Sequence, residues 1–281
     1  MTEQKSVAII GLGWLGMPLA KALQEEGYAV IGSTTSADKR AMLQQQGLQT
    51  VELTLNPAPV GRLEALLGSD VLVINVPPRA GRQGTDFHPQ QVAGLIEAIR
   101  TSAVAHIIYV SSTSVYPEQQ IPGRALVEAD VTSPAEAAAP ALVRAEQAVL
   151  ALSPERTVTI LRCGGLMGYD RIPGKYVAGR TVDSGSVPVN YIHRDDVVGI
   201  LQQLIRARIA GTYNAVAPEH PPREAIYRRS CADFGYTLPT FIEPDGPVAY
   251  KVISSDKLIT TTGYTFTWPN PLLFSYDPAA G

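Results

Sequence analysis

Cysteine is nearly absent. The two residues of this kind among 281, Cys163 and Cys231, stand far apart without CxxC spacing, which excludes a disulfide scaffold and a cysteine-ligated metal site. Histidine is scarce too, at four residues. His88, His106 and His220 are isolated from one another, so they read as structural and no metal is expected. Long apolar runs are missing, none reaching the ~18–20 residues of a membrane span. The polar stretch 1–5 likewise carries no basic segment followed by a long apolar one. No membrane partner is expected, and the sequence reads as cytoplasmic. Basic excess is lacking: 23 Lys and Arg against 26 Asp and Glu give a net charge of −3, which argues against a nucleic-acid partner. Hydrophobic residues at 45% and charged residues at 17% exclude a disordered chain. At ~100–200 residues per domain, the length allows one large domain or two small ones.

What is present is an alternation of short apolar runs with helical periodicity. Residues 5–10 read as a strand, 15–25 as a helix with Pro18 in its first turn, and 28–32 as the next strand. The pattern continues with a helix at 37–46, a strand at 50–55, a short helix at 62–67 and a strand at 70–76 closed by Pro77 and Pro78. A helix at 89–102, a strand at 106–111, a helix at 136–152 and a strand at 157–162 follow. Strands that are apolar throughout imply burial on both faces, as in a parallel sheet between helix layers. The expected fold class is α/β, a Rossmann doubly wound parallel sheet over 1–165, its sheet completed by segments from about 188–218. Residues 166–281 form mostly a small C-terminal substrate-binding lobe, with a helix at 195–208, a strand at 212–216, a helix at 223–234 and an extended piece at 249–258. Ligands of such sheets bind at the carboxyl ends of the strands.

Gly11-Leu12-Gly13-Trp14-Leu15-Gly16 fits G-x-G-x-x-G, follows the first strand and opens the first helix, the setting in which the motif holds a dinucleotide. Gly11 suits the tight turn, Gly13 the close approach of backbone to pyrophosphate, and Gly16 the packing of helix on strand. Trp14 and Leu15 fall at the helix N-terminus, where phosphate binds. The second strand ends in Val30–Ser36 without the acid that holds the ribose 2′-hydroxyl of NAD. Ser33, Thr34 and a following Lys39 and Arg40 favour a 2′-phosphate instead. NADP is therefore the expected cofactor and NAD the alternative. The other reading of Lys39 and Arg40 is solvated charge at a helix start. Val76, Pro77 and Ser111, at strand ends, complete the expected cofactor cleft.

The segment from His106 to Tyr116 (HIIYVSSTSVY) resembles the extended short-chain dehydrogenase/reductase family, in which a strand ending in Ser-Ser before Val-Tyr supplies a catalytic serine. Ile160–Gly168 (ILRCGGLMG), Tyr191–Val198 (YIHRDDVV) and Gly211–Asn214 (GTYN) are similar to further family segments in the same order. The chain looks like an atypical bacterial member of the NAD(P)-dependent epimerase/dehydratase type, akin to nucleoside-diphosphate-sugar epimerases. The resemblance implies a small-molecule substrate, a nucleotide sugar or another polar carbonyl or alcohol compound, and a homodimer through the helices at 89–102 and 136–152. The family's Tyr-x-x-x-Lys pair is not matched. Alignment on Ala145-Glu146-Gln147 puts Ala138 and Leu142 in its place.

Ser112 matches the catalytic serine and Tyr116 is the second catalytic candidate; a serine bonded to backbone and an aromatic packed under the lobe are the plainer readings. Arg162, Arg171 and Lys175 are candidates to grip a diphosphate or substrate, as are Arg79 and Arg82 in the loop after the fourth strand. His193 is a substrate-lobe candidate, with Asp195 suited to an N-cap. Two functions stand: an NADP-linked oxidoreductase or epimerase-like enzyme, and a cofactor-binding sensor or scaffold that lost catalysis.

Overall fold

Uninterrupted Val, Ile and Leu make strands that must be covered on both faces, and in the computed structural model Val71–Ile74 are all 3% exposed or less. The structure describes residues 5–78, 83–118 and 124–279. The chain runs β1 (Ser6–Ile10), α1 (Gly16–Glu25), β2 (Ala29–Thr34), α2 (Ala37–Gln45), β3 (Gln49–Asn56), β4 (Ala58–Gly61), α3 (Glu64–Leu67) and β5 (Val71–Ile74). There follow α4 (Phe87–Arg100), β6 (His106–Ser112), α5 (Pro140–Leu150), β7 (Thr157–Cys163), β8 (Gly165–Met167), α6 (Pro173–Val177) and β9 (Thr181–Val182). The last elements are β10 (Tyr191–His193), α7 (Arg194–Ala207), β11 (Gly211–Ala215), α8 (Arg223–Phe234), β12 (Thr240–Phe241) and α9 (Asp256–Thr262).

Eight strands pair in the order β11-β7-β6-β5-β1-β2-β3-β4, all parallel except the β3–β4 hairpin. Alternate side chains divide the core between two layers. Ile9, Val73, Ile108 and Leu161 pack with Leu19 and Leu23 of α1 and Leu201 of α7, while Leu72, Ile107 and Ile160 pack with Leu95 and Ile99 of α4 and Val149 of α5. Strand order reverses between β1 and β5, which opens the crevice where ligands of doubly wound sheets sit. Outside the main sheet, β8 pairs with β10 and β9 with β12. Asp196, fully buried in α7, ties down the C-terminal segment by accepting from the Tyr264 hydroxyl and the Thr267 and Trp268 N–H groups. Among the described residues no helix is long and apolar enough to cross a membrane.

Three boundaries differ from the sequence reading. The strand at 50–55 continues into a hairpin, with β4 lying along α4 where Gly94 leaves room for Pro59. The helix expected from 136 begins at Pro140, since proline is accommodated in a first turn; Glu136 instead folds back to accept the Thr132 and Ser133 N–H groups at 2.8 and 3.0 Å. The extended piece at 249–258 bridges Leu126 through Ile253 before α9 starts at Asp256.

At the carboxyl ends of β6, β7 and β11 lies a buried polar network. Arg162 and Glu146, 3% and 1% exposed, form an ion pair at 2.7 Å. Arg162 also donates to the Tyr116 hydroxyl and the Val131 carbonyl, both at 2.9 Å; Glu146 accepts from Ser111 at 2.5 Å; and Tyr116 donates to Asn214 at 2.7 Å. Arg162, expected as a phosphate grip, is thus committed to the core. Removing one partner strands the other charge in the interior, so Glu146→Leu should destabilise the fold by about 3–5 kcal/mol. Urea midpoints of Glu146→Leu, Arg162→Met and the double variant check this. The double variant should lose less than the two single losses combined, and strict additivity would mean the pair is uncoupled.

Candidate functional site

A cavity of about 460 Å³ opens over the carboxyl ends of β1, β2, β5, β6 and β7, inside the range of small-ligand pockets. Its middle is the glycine turn. Gly11 adopts φ +101, and a Cβ there or at Gly16 would run into the Asn75 or Gly11 carbonyl oxygen. The turn is pinned by the Gly11 N–H donating to Ser33 Oγ at 3.2 Å, the Leu12 N–H to the Ser33 carbonyl at 2.8 Å, and Asn75 Nδ2 to the Gly11 carbonyl at 3.1 Å. Gly13 differs. Nothing lies within 4 Å of where its Cβ would stand, and it lines the cavity at the start of α1 with Trp14 and Leu15. That bare backbone beside a helix N-terminus is a cradle of the kind a diphosphate fills, so the residues fit a dinucleotide.

At one end the lining is Ser33, Thr34, Thr35, Ser36 and Lys39. Ser36 caps α2 by accepting the Lys39 N–H at 3.3 Å. Arg40, expected to reach this end, is absent from the described lining and pairs with Glu52 across β3 at 2.8 Å; Lys39 is the cation the cavity meets. Neighbours in a helix project about 100° apart, which is why one faces the cleft and the other does not. Val76, Pro77 and Pro78 line the same region, together with Gln91 of α4, a buried polar residue that the sequence reading passed over.

The other end is lined by Val110, Ser111, Ser112, Leu142, Cys163, Gly164, Leu166 and Arg171. Ser112 Oγ donates to Ser114 Oγ at 2.9 Å and accepts the Ser114 N–H at 3.1 Å, so the hydroxyl is held at the cavity wall by its own turn. Tyr116 is fully buried with its hydroxyl bound to Asn214 and Arg162, and burial raises its pKa; the phenol does not reach the described lining. Leu142 lines the cavity where the family's lysine would stand, and Ala138 carries no proton to transfer. Burial pushes the Cys163 thiol up to about 12 and raises the Tyr109 hydroxyl, which bonds His88 at 2.6 Å.

From the lobe, Arg171 lies over the Trp14 ring at 4.0 Å, and Trp14 Nε1 donates to Asp170 at 2.6 Å. Lys175 is exposed on α6 and stands outside the described lining. His193 is 1% exposed, packed among the Tyr169, Trp268 and Phe274 rings. Its Nδ1 accepts the Asp195 N–H at 3.3 Å and caps α7, Nε2 pairs with the Ser275 carbonyl at 3.0 Å, and burial lowers its pKa. His193 therefore caps a helix and is also absent from the described lining; the expected N-cap, Asp195, is the second residue of α7. Arg79 and Arg82 lie outside the described residues.

Comparison with known proteins agrees with this geometry. An NAD(P)H-binding family model matches residues 11–208. The chain is 34% identical over 277 residues to Protein YeeZ of Escherichia coli, covering 97% of this chain and 100% of that one. Among solved structures, UDP-N-acetylglucosamine 4-epimerase from Bacillus cereus superposes with TM-score 0.72 at 14% identity, covering 96% of this chain and 93% of the other. A human epimerase family protein solved with NADPH gives TM-score 0.71 at 16% identity over 95% and 96% of the two chains. These likenesses at low identity establish the Rossmann-like fold shared with epimerases and short-chain dehydrogenases, and the matched model and the YeeZ relationship establish that the chain belongs to the NAD(P)H-binding family.

Proposed function

We propose that this protein is an NADP(H)-linked oxidoreductase of the epimerase/dehydratase type, acting on a small polar carbonyl or alcohol compound such as a nucleotide sugar. One observation carries the reading: a single cavity joins the bare Gly13 backbone and the Ser36–Lys39 rim to the Ser112 hydroxyl. Gly13, Trp14 and Leu15 would hold the diphosphate, and Lys39 with Ser36 and Thr34 the 2′-phosphate. The fold relative solved with NADPH is in keeping with that choice. When bound, the nicotinamide supplies or accepts a hydride. Ser112 would hydrogen-bond the reacting oxygen and stabilise charge developing on it. Val110, Leu142 and Leu166 give that end an apolar wall, which strengthens such a bond by excluding water.

A second reading is favoured by one specific observation. Leu142 and Ala138 replace the proton-transferring pair, and burial shifts the Cys163 thiol and the Tyr109 hydroxyl of the described lining up, away from neutrality. A protein that binds NADP(H) without turnover, as a sensor or scaffold, fits that wall.

Three measurements test these readings. Calorimetry should find NADPH bound more tightly than NADH, with Lys39→Ala erasing roughly a 10-fold preference, the size of one charge-assisted hydrogen bond; equal affinities in the wild type would exclude the 2′-phosphate assignment. Gly13→Val should abolish dinucleotide binding with circular dichroism unchanged, because its side chain enters open cavity and not core. Finally, turnover of nucleotide sugars and small carbonyl compounds, read both as NADPH consumption and as product formed by redox-neutral epimerisation or dehydration, should fall roughly 100-fold in kcat for Ser112→Ala with cofactor affinity held. Turnover indifferent to Ser112 would remove it from the site, and firm NADPH binding with no turnover on any substrate would establish the sensor.

A further inference from the structure

Trp14, the fourth residue of the glycine turn's own motif, carries two arginines over its ring. Arg171 lies 4.0 Å from the ring and Arg194 4.9 Å, with Arg194 in turn 3.4 Å over the Tyr169 ring. Among the described residues neither guanidinium has a carboxylate within ion-pair distance. The nearby acids are engaged elsewhere: Asp170 accepts from Trp14 Nε1 at 2.6 Å, and Asp195 accepts from the Tyr169 hydroxyl at 2.9 Å. Arg194 is 7% exposed and its Nε has no hydrogen-bond partner. Two cations gathered without a counter-ion beside a helix N-terminus, one of them lining the cavity, form a site that an anion completes.

Arg171 is delivered by a built turn. Gly168 and Tyr169 adopt φ +113 and +53, the Gly168 N–H donates to the Arg171 carbonyl at 3.3 Å, and the Arg171 N–H donates back at 3.0 Å. A side chain at Gly168 would strike the ring of His193, so the turn rests on that buried histidine and on Trp14. A guanidinium carries five N–H donors in a fork, and none of the Arg171 side chain's donors is tied to a carboxylate among the described residues.

We propose that Arg171, held over the Trp14 ring, grips the diphosphate of the dinucleotide from the lobe and thereby latches the 168–171 turn onto the glycine turn. The assignment rests on the cofactor reading above and adds the residue by which the lobe recognises that cofactor. A diphosphate is common to NADPH and NADH, whereas the 2′-phosphate beside Lys39 is not, so the two cation sites separate experimentally. Calorimetric titration of wild type, Arg171→Ala and Lys39→Ala with both dinucleotides should show Arg171→Ala weakening NADPH and NADH by the same factor, roughly 10-fold or more, while Lys39→Ala weakens NADPH alone. Unchanged affinity in a folded Arg171→Ala variant, or a loss confined to NADPH, overturns the proposal. If the alanine variant loses its circular dichroism, Arg171→Lys, which keeps the charge and loses the fork, takes its place: a several-fold loss for both dinucleotides supports the grip, and no loss overturns it. A wild type that binds neither dinucleotide would overturn the cofactor reading itself, an outcome distinct from all of these.

Discussion

The ion pair between Arg162 and Glu146 sets what the upper edge of the sheet is able to do. A guanidinium nearly sealed from water needs a matching anion and a partner for each remaining donor, and here Glu146, Tyr116 and the Val131 carbonyl supply them. Each partner comes from a different part of the chain: Glu146 from α5, Tyr116 from the turn after β6, and Asn214, beyond Tyr116, from β11. The strand ends that form the cavity floor are thus fastened to one another by charge and hydrogen bonds where the hydrophobic layers below give out. Specificity of this kind comes with a constraint, since every polar atom drawn into the network is lost to the cavity.

That constraint explains the chemistry left at the wall. Ser111 and Ser112 are adjacent on β6 and therefore point to opposite sides of the sheet. Ser111 Oγ goes to Glu146, while Ser112 is held by Ser114 at the cavity's edge. Tyr116 goes to Asn214 and Arg162, and the Tyr109 hydroxyl goes to His88, so both phenols on this side are spent on structural hydrogen bonds. With Leu142 and Ala138 in place of a proton-transferring pair, Ser112 is the hydroxyl on which the proposed chemistry at this wall would rest.

The parts of this arrangement legible in the sequence are those whose cause is local. The glycine turn is one, because Gly11 needs a positive φ that other residues resist and Gly16 must let α1 meet the turn beneath it. The apolar strands are another, since burial on both faces removes polar residues from the string itself. What escaped was decided by partners far along the chain. Nothing near Arg162 announces Glu146, nothing near Tyr116 announces Asn214, and Arg40 is drawn off by Glu52 on the next strand. The same holds for His193, whose ring environment is assembled from Tyr169, Trp268 and Phe274. A charged or aromatic residue at a strand end looks equally free in sequence whether or not the fold has already used it.

The two ends of the cavity therefore depend on different kinds of residue. The dinucleotide end is made largely of backbone: Gly13 offers absence of a side chain and α1 and α2 offer their N-termini, while Lys39 at the rim and Arg171 over Trp14 are the charged side chains of the described lining. Such a site is preserved as long as the turn keeps its shape, which the Ser33 and Asn75 hydrogen bonds maintain without reference to any substrate. The Ser112 end depends on individual side chains, among them Leu142 on the apolar flank of α5. Cofactor binding and proton transfer are thus structurally separable in this fold. A chain can keep the first intact while the second is rebuilt around another group or given up, and this chain keeps the first with one hydroxyl, Ser112, standing where the second would begin.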